Sequence, residues 1–177
     1  THKTISENFF CETEYRIRLL AKTGRLSEAS EAAEAMRIET ERTDRAEMIR
    51  YWWAAGCVEA ARGNFDSAAA LFRKASGRSA DRFWAQYTLA RAYLDSGKLG
   101  EAVEVLEKSI KAYTSSRAFY SIWAVKAHYL LGTAYERSGW TGEAIEQYEK
   151  FLEIWKDADP GVPEVEDARL RLRRLTS

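Results

Sequence analysis

Leu89-Ala-Arg-Ala-Tyr93-Leu-Asp-Ser-Gly97-Lys-Leu99-Gly-Glu-Ala102-Val-Glu-Val-Leu106 is the stretch that decides the fold. Tyr87, Ala90 and Leu94 before the central glycine, and Leu99, Ala102 and Leu106 after it, fall at the three-and-four spacing of an amphipathic helix. Gly97 stands where that spacing breaks. Glycine accepts the left-handed backbone conformation that ends a helix, so the stretch predicts two antiparallel helices folded back on one short turn.

The same arrangement recurs along the chain. Gly24, Gly63 and Gly139 sit in similar polar contexts, at Lys22-Thr-Gly24-Arg-Leu26, Arg62-Gly63-Asn-Phe65 and Ser138-Gly139-Trp140. Five residues after each of the four glycines stands an alanine: Ala29, Ala68, Ala102 and Ala144. Four residues further on come the core positions Ala33, Phe72, Leu106 and Tyr148. Seven residues before each glycine stand Ile17, Gly56, Ala90 and Gly132, three of them small, as close approach of two helix backbones requires. Strand-like alternation is nearly absent.

Trp52-Trp-Ala-Ala55-Gly56 with Ala68 and Phe72, Leu89-Ala90-Ala92-Tyr93 with Ala102, and Leu131-Gly132-Ala134-Tyr135 with Ala144 and Tyr148 resemble the tetratricopeptide repeat. The interval from Gly63 to Gly97 equals the 34-residue period of that family, whereas the intervals before and after it are longer. The extra residues are expected around Glu39 to Arg50 and Tyr113 to Val125. The first unit departs most, with Thr13 and Ile17 where the family carries a large aromatic residue and glycine. The resemblance implies an all-α fold: a right-handed α-solenoid of four helical hairpins plus a C-terminal capping helix.

Helices are predicted over residues 5–23, 26–40, 43–62, 65–76, 80–96, 99–113, 116–138, 141–157 and 164–175. They pair as hairpins 5–40, 43–76, 80–113 and 116–157, one domain spanning 1–177, with 164–175 closing the end. Pro163-Glu-Val-Glu suits a helix start, because proline fits the first turn and acidic groups favour its positive end. The stripe Val165, Ala168, Leu170, Leu172 and Leu175 is expected to cover the last hairpin. The run from Tyr148 to Leu172 also resembles the tails of bacterial multidomain proteins in which tetratricopeptide arrays follow a protein kinase or winged-helix domain. That implies the recognition or sensor end of a larger regulator, and the Thr1 start agrees with a piece of something longer.

Bulk properties exclude several classes. Basic and acidic side chains balance at 27 each, so no net field draws the chain to nucleic acid or to an anionic membrane. No run approaches the ~20 apolar residues of a membrane span, and the opening residues lack a signal-peptide core. A cytoplasmic location is expected. Cys11 and Cys57 lack metal-ligand spacing and read as reduced thiols, with a disulfide left open. His2, placed in a disordered terminus, and His128, inside a helix, form no zinc cluster. Nucleotide loops and kinase catalytic motifs are missing. Asp157 and Asp159 read as turn and cap residues rather than a cation site, and Arg169, Arg171, Arg173 and Arg174 lack the interleaved aromatics of a nucleic-acid surface. No catalytic residue and no cofactor is assigned.

Six Trp and nine Tyr exceed what a small helical core requires, so some rings are expected at the surface. In the family that the repeats resemble, the first helix of each hairpin lines a concave groove. Projected onto this chain, that face carries Arg50, Trp53 and Cys57, then Trp84, Tyr87 and Arg91, then Lys126, Tyr129 and Thr133. Rings beside guanidinium and ammonium groups suit a peptide with acidic and apolar side chains. The competing expectation is that Trp53, Tyr87 and Tyr129 pack between hairpins. The Lys and Asn set by which relatives clamp a C-terminal carboxylate is not matched. Protein or peptide binding leads; self-association as a homodimer and sensing of a small ligand are the rivals.

Overall fold

A computed structural model describes residues 2–43, 45–77, 83–112, 121–158 and 161–177, with side chains from residue 12 onward apart from those of 47 and 121. The described residues form nine α-helices and no strand: α1 His2–Lys22, α2 Leu26–Thr43, α3 Met48–Ala61, α4 Phe65–Ser76, α5 Phe83–Asp95, α6 Leu99–Lys111, α7 Ser121–Arg137, α8 Thr141–Ile154 and α9 Pro163–Leu175. They fall into two compact units, residues 1–78 with α1 to α4 and residues 79–177 with α5 to α9.

The four expected turns are built alike. Gly24, Gly63, Gly97 and Gly139 have φ between 77° and 81°. In each turn the residue after the glycine donates its N–H to the carbonyl five residues back, as Lys98 does to Tyr93 at 2.8 Å and Trp140 to Tyr135 at 2.9 Å. The glycine N–H reaches back three residues, Gly97 to Leu94 at 3.1 Å. These paired bonds close the last helical turn and satisfy carbonyls that a helix end otherwise leaves bare. The next helix starts at once, with Ala102 N–H bonding the Lys98 carbonyl at 3.1 Å.

The small residues do what their spacing implies. Ala29, Ala68, Ala102 and Ala144 are fully buried. A Cβ placed on Gly56 would lie 2.5 Å from the Phe72 ring, and one on Gly132 would lie 2.7 Å from the Tyr148 ring. Phe72 and Tyr148 therefore lie directly on bare helix backbone. Ile17 and Ala33 occupy the corresponding positions of the first hairpin with large and small exchanged, in a core shared with Leu20, Met36, Ala54 and Val58. The volume is kept while the donor of bulk changes, a swap that packed cores tolerate.

Several boundaries differ from the sequence expectation. α1 begins at His2, so its backbone is helical where a disordered terminus was expected; no proline or glycine interrupts residues 1–23. α2 runs to Thr43, with the Thr40 hydroxyl turned back to the Met36 carbonyl at 2.6 Å. α3 starts at Met48 rather than 43, because Arg45–Glu47 wind as a tighter 3-10 turn. The expected insertion at Tyr113 and the starts of the helices predicted at 80 and 116 lie outside the described residues. α8 stops at Ile154, and Asp159 and Pro160 are likewise outside. On α9, Val165 and Ala168 are buried and Leu172 and Leu175 half-buried, whereas Leu170 faces solvent. Two residues from Ala168 and Leu172, it falls near the opposite side of the helix.

Gly56→Ala is expected to destabilise the chain by about 1–3 kcal/mol through overpacking against Phe72, despite a gain of about 1 kcal/mol in helix propensity. Urea denaturation checks this. Phe72→Leu added to Gly56→Ala recovers part of the loss, because the ring that the new methyl meets is gone.

Candidate functional site

The residues expected on one face divide between the two units, and each set is built differently. In the first unit Arg50 and Trp53 lie on α3. Glu14 of α1 accepts hydrogen bonds from Arg18 at 3.4 Å and from Arg50 at 3.2 Å, its side chain almost wholly buried. Burial pushes the Glu14 carboxyl above the ordinary carboxylate range, although the charges and hydrogen bonds of Arg50 and Arg18 pull the other way. Trp53 is buried, and the Arg18 guanidinium lies 4.0 Å from its ring centre. Arg50 and Trp53 are thus engaged by α1.

Beside them lies an open hollow of about 370 Å³ between α1 and α3, lined by Tyr15, Arg18, Leu19, Lys22, Cys57 and Ala61 among others. Tyr15 is 65% exposed and Leu19 49% exposed. Sequence reasoning missed these α1 residues because the first hairpin departs most from the repeat pattern. The signal was present in Tyr15 and Leu19, four apart and flanked by Arg18 and Lys22, on a helix whose other side carries Ile17 and Leu20 into the core. Cys57, half-buried and free, has its thiol pushed up to about 11 by burial, which leaves little thiolate for nucleophilic chemistry. The side chain of Cys11 lies outside the described residues.

In the second unit the expected residues lie on α5 and α7, and α9 comes to meet them. Trp84 is half-buried. Tyr87 packs on Trp123 with ring centres 5.0 Å apart, and Arg91, exposed, pairs with Asp95 at 3.4 Å. Burial raises the Tyr87 hydroxyl above its ordinary value, opposed by the neighbouring Arg91 charge. Lys126 donates to Glu164 of α9 at 2.6 Å, its ammonium 5.9 Å from the centre of the Trp155 ring. Tyr129 packs against Phe151 with ring centres 5.5 Å apart and the rings tilted at 44°, and donates its hydroxyl to Asp167 of α9 at 2.7 Å. Burial and that bond push the Tyr129 hydroxyl up to about 12. Thr133 donates its hydroxyl to the Tyr129 carbonyl at 3.1 Å.

One polar network joins α7, α8 and α9. The Tyr148 hydroxyl donates to Glu136 at 2.7 Å, Glu136 also accepts from Arg171 at 2.8 Å, and Arg171 bonds Asp167, which holds Tyr129. Burial works to raise Glu164 and Asp167. The Lys126 bond on the first, and the Arg171 and Tyr129 bonds on the second, outweigh it and hold both carboxyls below their ordinary range. His128, expected to be structural, is buried with Nδ1 2.8 Å from Gln147 Oε1. Among the described residues no His, Cys, Asp or Glu cluster could hold a metal ion, and no helix is long and apolar enough to cross a membrane.

Tetratricopeptide-repeat models match residues 59–122 and 125–155, together more than half of the chain. Of solved structures, one described as kinesin light chain nearly identical TPR-like repeats from Podosopora anserina has a TM-score of 0.71 at 22% identity, over 93% of this chain and 83% of that one. A mutant of MamA has a TM-score of 0.61 at 19% identity, over 97% of this chain and 90% of that one. Both are likenesses of fold. No curated protein sequence matches the chain.

Two outcomes are expected from this geometry. Arg50→Met lowers stability by about 1–3 kcal/mol, because it strips a charged hydrogen bond from a buried carboxylate, while Glu14→Gln changes it little; an unaltered denaturation midpoint in Arg50→Met would show that Arg50 does not hold α1 to α3. The carboxyls of Glu164 and Asp167 are depressed in the folded chain, so their contribution is present above the unfolded values of about 4.3 and 3.9 and is lost as pH falls through the folded ones. Acidification from about pH 5 to about pH 2 therefore loosens α9, seen as changed Trp fluorescence as the Lys126 ammonium beside Trp155 loses its Glu164 partner, and Glu164→Gln with Asp167→Asn removes that part of the acid transition.

Proposed function

Because the chain belongs to the tetratricopeptide-repeat family, we propose that it is a non-catalytic protein-interaction scaffold whose first helices hold a peptide or a partner domain. Repeats of this family mediate protein–protein contacts. The observation that carries the reading is the set of aromatic and apolar side chains beside cations on those helices: Tyr15, Leu19, Arg18 and Lys22 around the open hollow, and Tyr87, Arg91, Lys126 and Tyr129 in the second unit. A face of rings with guanidinium and ammonium groups selects extended or helical segments carrying carboxylates next to apolar side chains. The balanced net charge makes this selection local rather than a long-range attraction.

The run from Tyr148 to Leu172, with its likeness to the tails of bacterial regulators, supports a place as the recognition module of a larger bacterial regulatory protein. In that setting the repeats choose the partner and an attached domain acts on it.

Selection from a displayed library of random peptides tests the scaffold reading. Enriched sequences are expected to pair acidic with apolar positions, and Lys22→Glu, or Tyr15→Ala with Leu19→Ala, to weaken their binding about ten-fold or more without moving the melting temperature. Enrichment of no common pattern, or binding that both of these variants leave intact, would count against the hollow between α1 and α3.

A further inference from the structure

α9 does more than shield an apolar end. Glu164 and Asp167, one turn apart, reach Lys126 and Tyr129 on α7, two of the residues that the sequence singles out for ligand recognition. The charge of Arg91 on α5 also acts on Glu164. Val165 and Ala168, between and beside these carboxylates, are the α9 side chains that bury completely. Acidic groups beside apolar ones, presented by a helix, are the chemistry expected of a partner.

The hold is weak for a structural helix. α9 spans thirteen residues, its ion pairs join partly exposed groups, and its buried apolar side chains are one valine and one alanine. Exposed pairs contribute little and a short helix with so small a buried face opens locally well before the rest of a domain. Gly161, at φ 88°, turns the chain just before α9, so no continuous helix ties it to α8.

We infer that α9 is a displaceable internal ligand: it covers the Lys126 and Tyr129 face of α7, and a partner takes its place by presenting an acidic amphipathic helix of the same kind. The inference rests on the reading of this face as a peptide-binding surface. While α9 is seated, the face is available only in the fraction of molecules in which it has swung away, so the apparent affinity for a partner falls by that fraction. Anything that loosens α9 raises binding with no change at the face itself.

Hydrogen exchange on the whole chain supplies the first test. Amides of α9 are expected to exchange far faster than those of α7 and α8; equal protection in all three overturns the inference whatever the variants do. The second test titrates a labelled synthetic peptide of residues 161–177 against the whole chain. Glu164→Gln with Asp167→Asn should bind it about ten-fold more tightly than the unaltered chain, and Lys126→Glu added to that variant should abolish the gain. Equal, measurable affinities for the unaltered and double-substituted chains leave the face as a binding surface and overturn displacement by α9. Absence of binding to the folded double variant overturns the inference together with the reading of this face, while leaving the hollow on α1 untouched. Dimerisation of the unaltered chain that rises with concentration and is lost in Lys126→Glu supports the inference and identifies the partner as a second copy.

Discussion

A ring lying on bare backbone is the contact from which the second and fourth hairpins take their geometry. Phe72 lies where a Cβ of Gly56 would be, and Tyr148 where one of Gly132 would be. No side chain stands between ring and helix, so the two helices of the pair approach closely and the flanking alanines, Ala68 and Ala144, bury completely. The glycine that turns the chain sits seven residues after the bare position and nine before the ring. Turn and contact therefore specify one register twice, by backbone hydrogen bonds and by packing. A register shift of one residue would move the ring off the groove and rotate the alanines away from the interface.

The same ring leads outward to the polar face. Tyr148 buries its ring against Gly132 while its hydroxyl reaches Glu136, which Arg171 of α9 also engages. The placement of α9 is thus referred back to the packing of α7 against α8. Asp167 completes the path by accepting from both Arg171 and Tyr129. Each member has a partner, so the network orients α9 without stranding a buried charge. Individually these bonds contribute modestly, and together they fix which side of α9 faces α7.

The backbone plan was legible in the sequence because it depends on residues with narrow conformational meaning. Four glycines at turn positions, alanines five residues on and alternating bulk at paired positions left one arrangement consistent with all of them. Boundaries were less legible where no such residue marks them: nothing in Arg45-Ala-Glu47 announces a tighter turn, and the start of α1 at His2 follows only from the lack of a breaker. Side-chain engagement was the hardest to foresee. Lys126 and Tyr129 lie on the helix that the spacing predicts, but their partners Glu164 and Asp167 lie nearly forty residues away, and no local spacing encodes that meeting. Arg50 and Trp53 are occupied by Glu14 and Arg18 of a hairpin that the repeat pattern describes poorly.

Charge direction along α9 adds a constraint that area and hydrophobicity do not. Its first turns carry Glu164, Glu166 and Asp167 and its later ones Arg169, Arg171, Arg173 and Arg174, which places each sign at the helix end that favours it. Docked as it is, the acidic end meets Lys126 and Tyr129, and Arg171 meets Glu136 one turn further on. A helix of the same composition laid down in the opposite direction would set arginines against Lys126 and carboxylates against Glu136. That repulsion discriminates between orientations of chemically similar helices, which apolar burial of a valine and an alanine alone could not do. Polarity is therefore written into the contact of α7 with α9, whose acidic end lies against Lys126 and Tyr129.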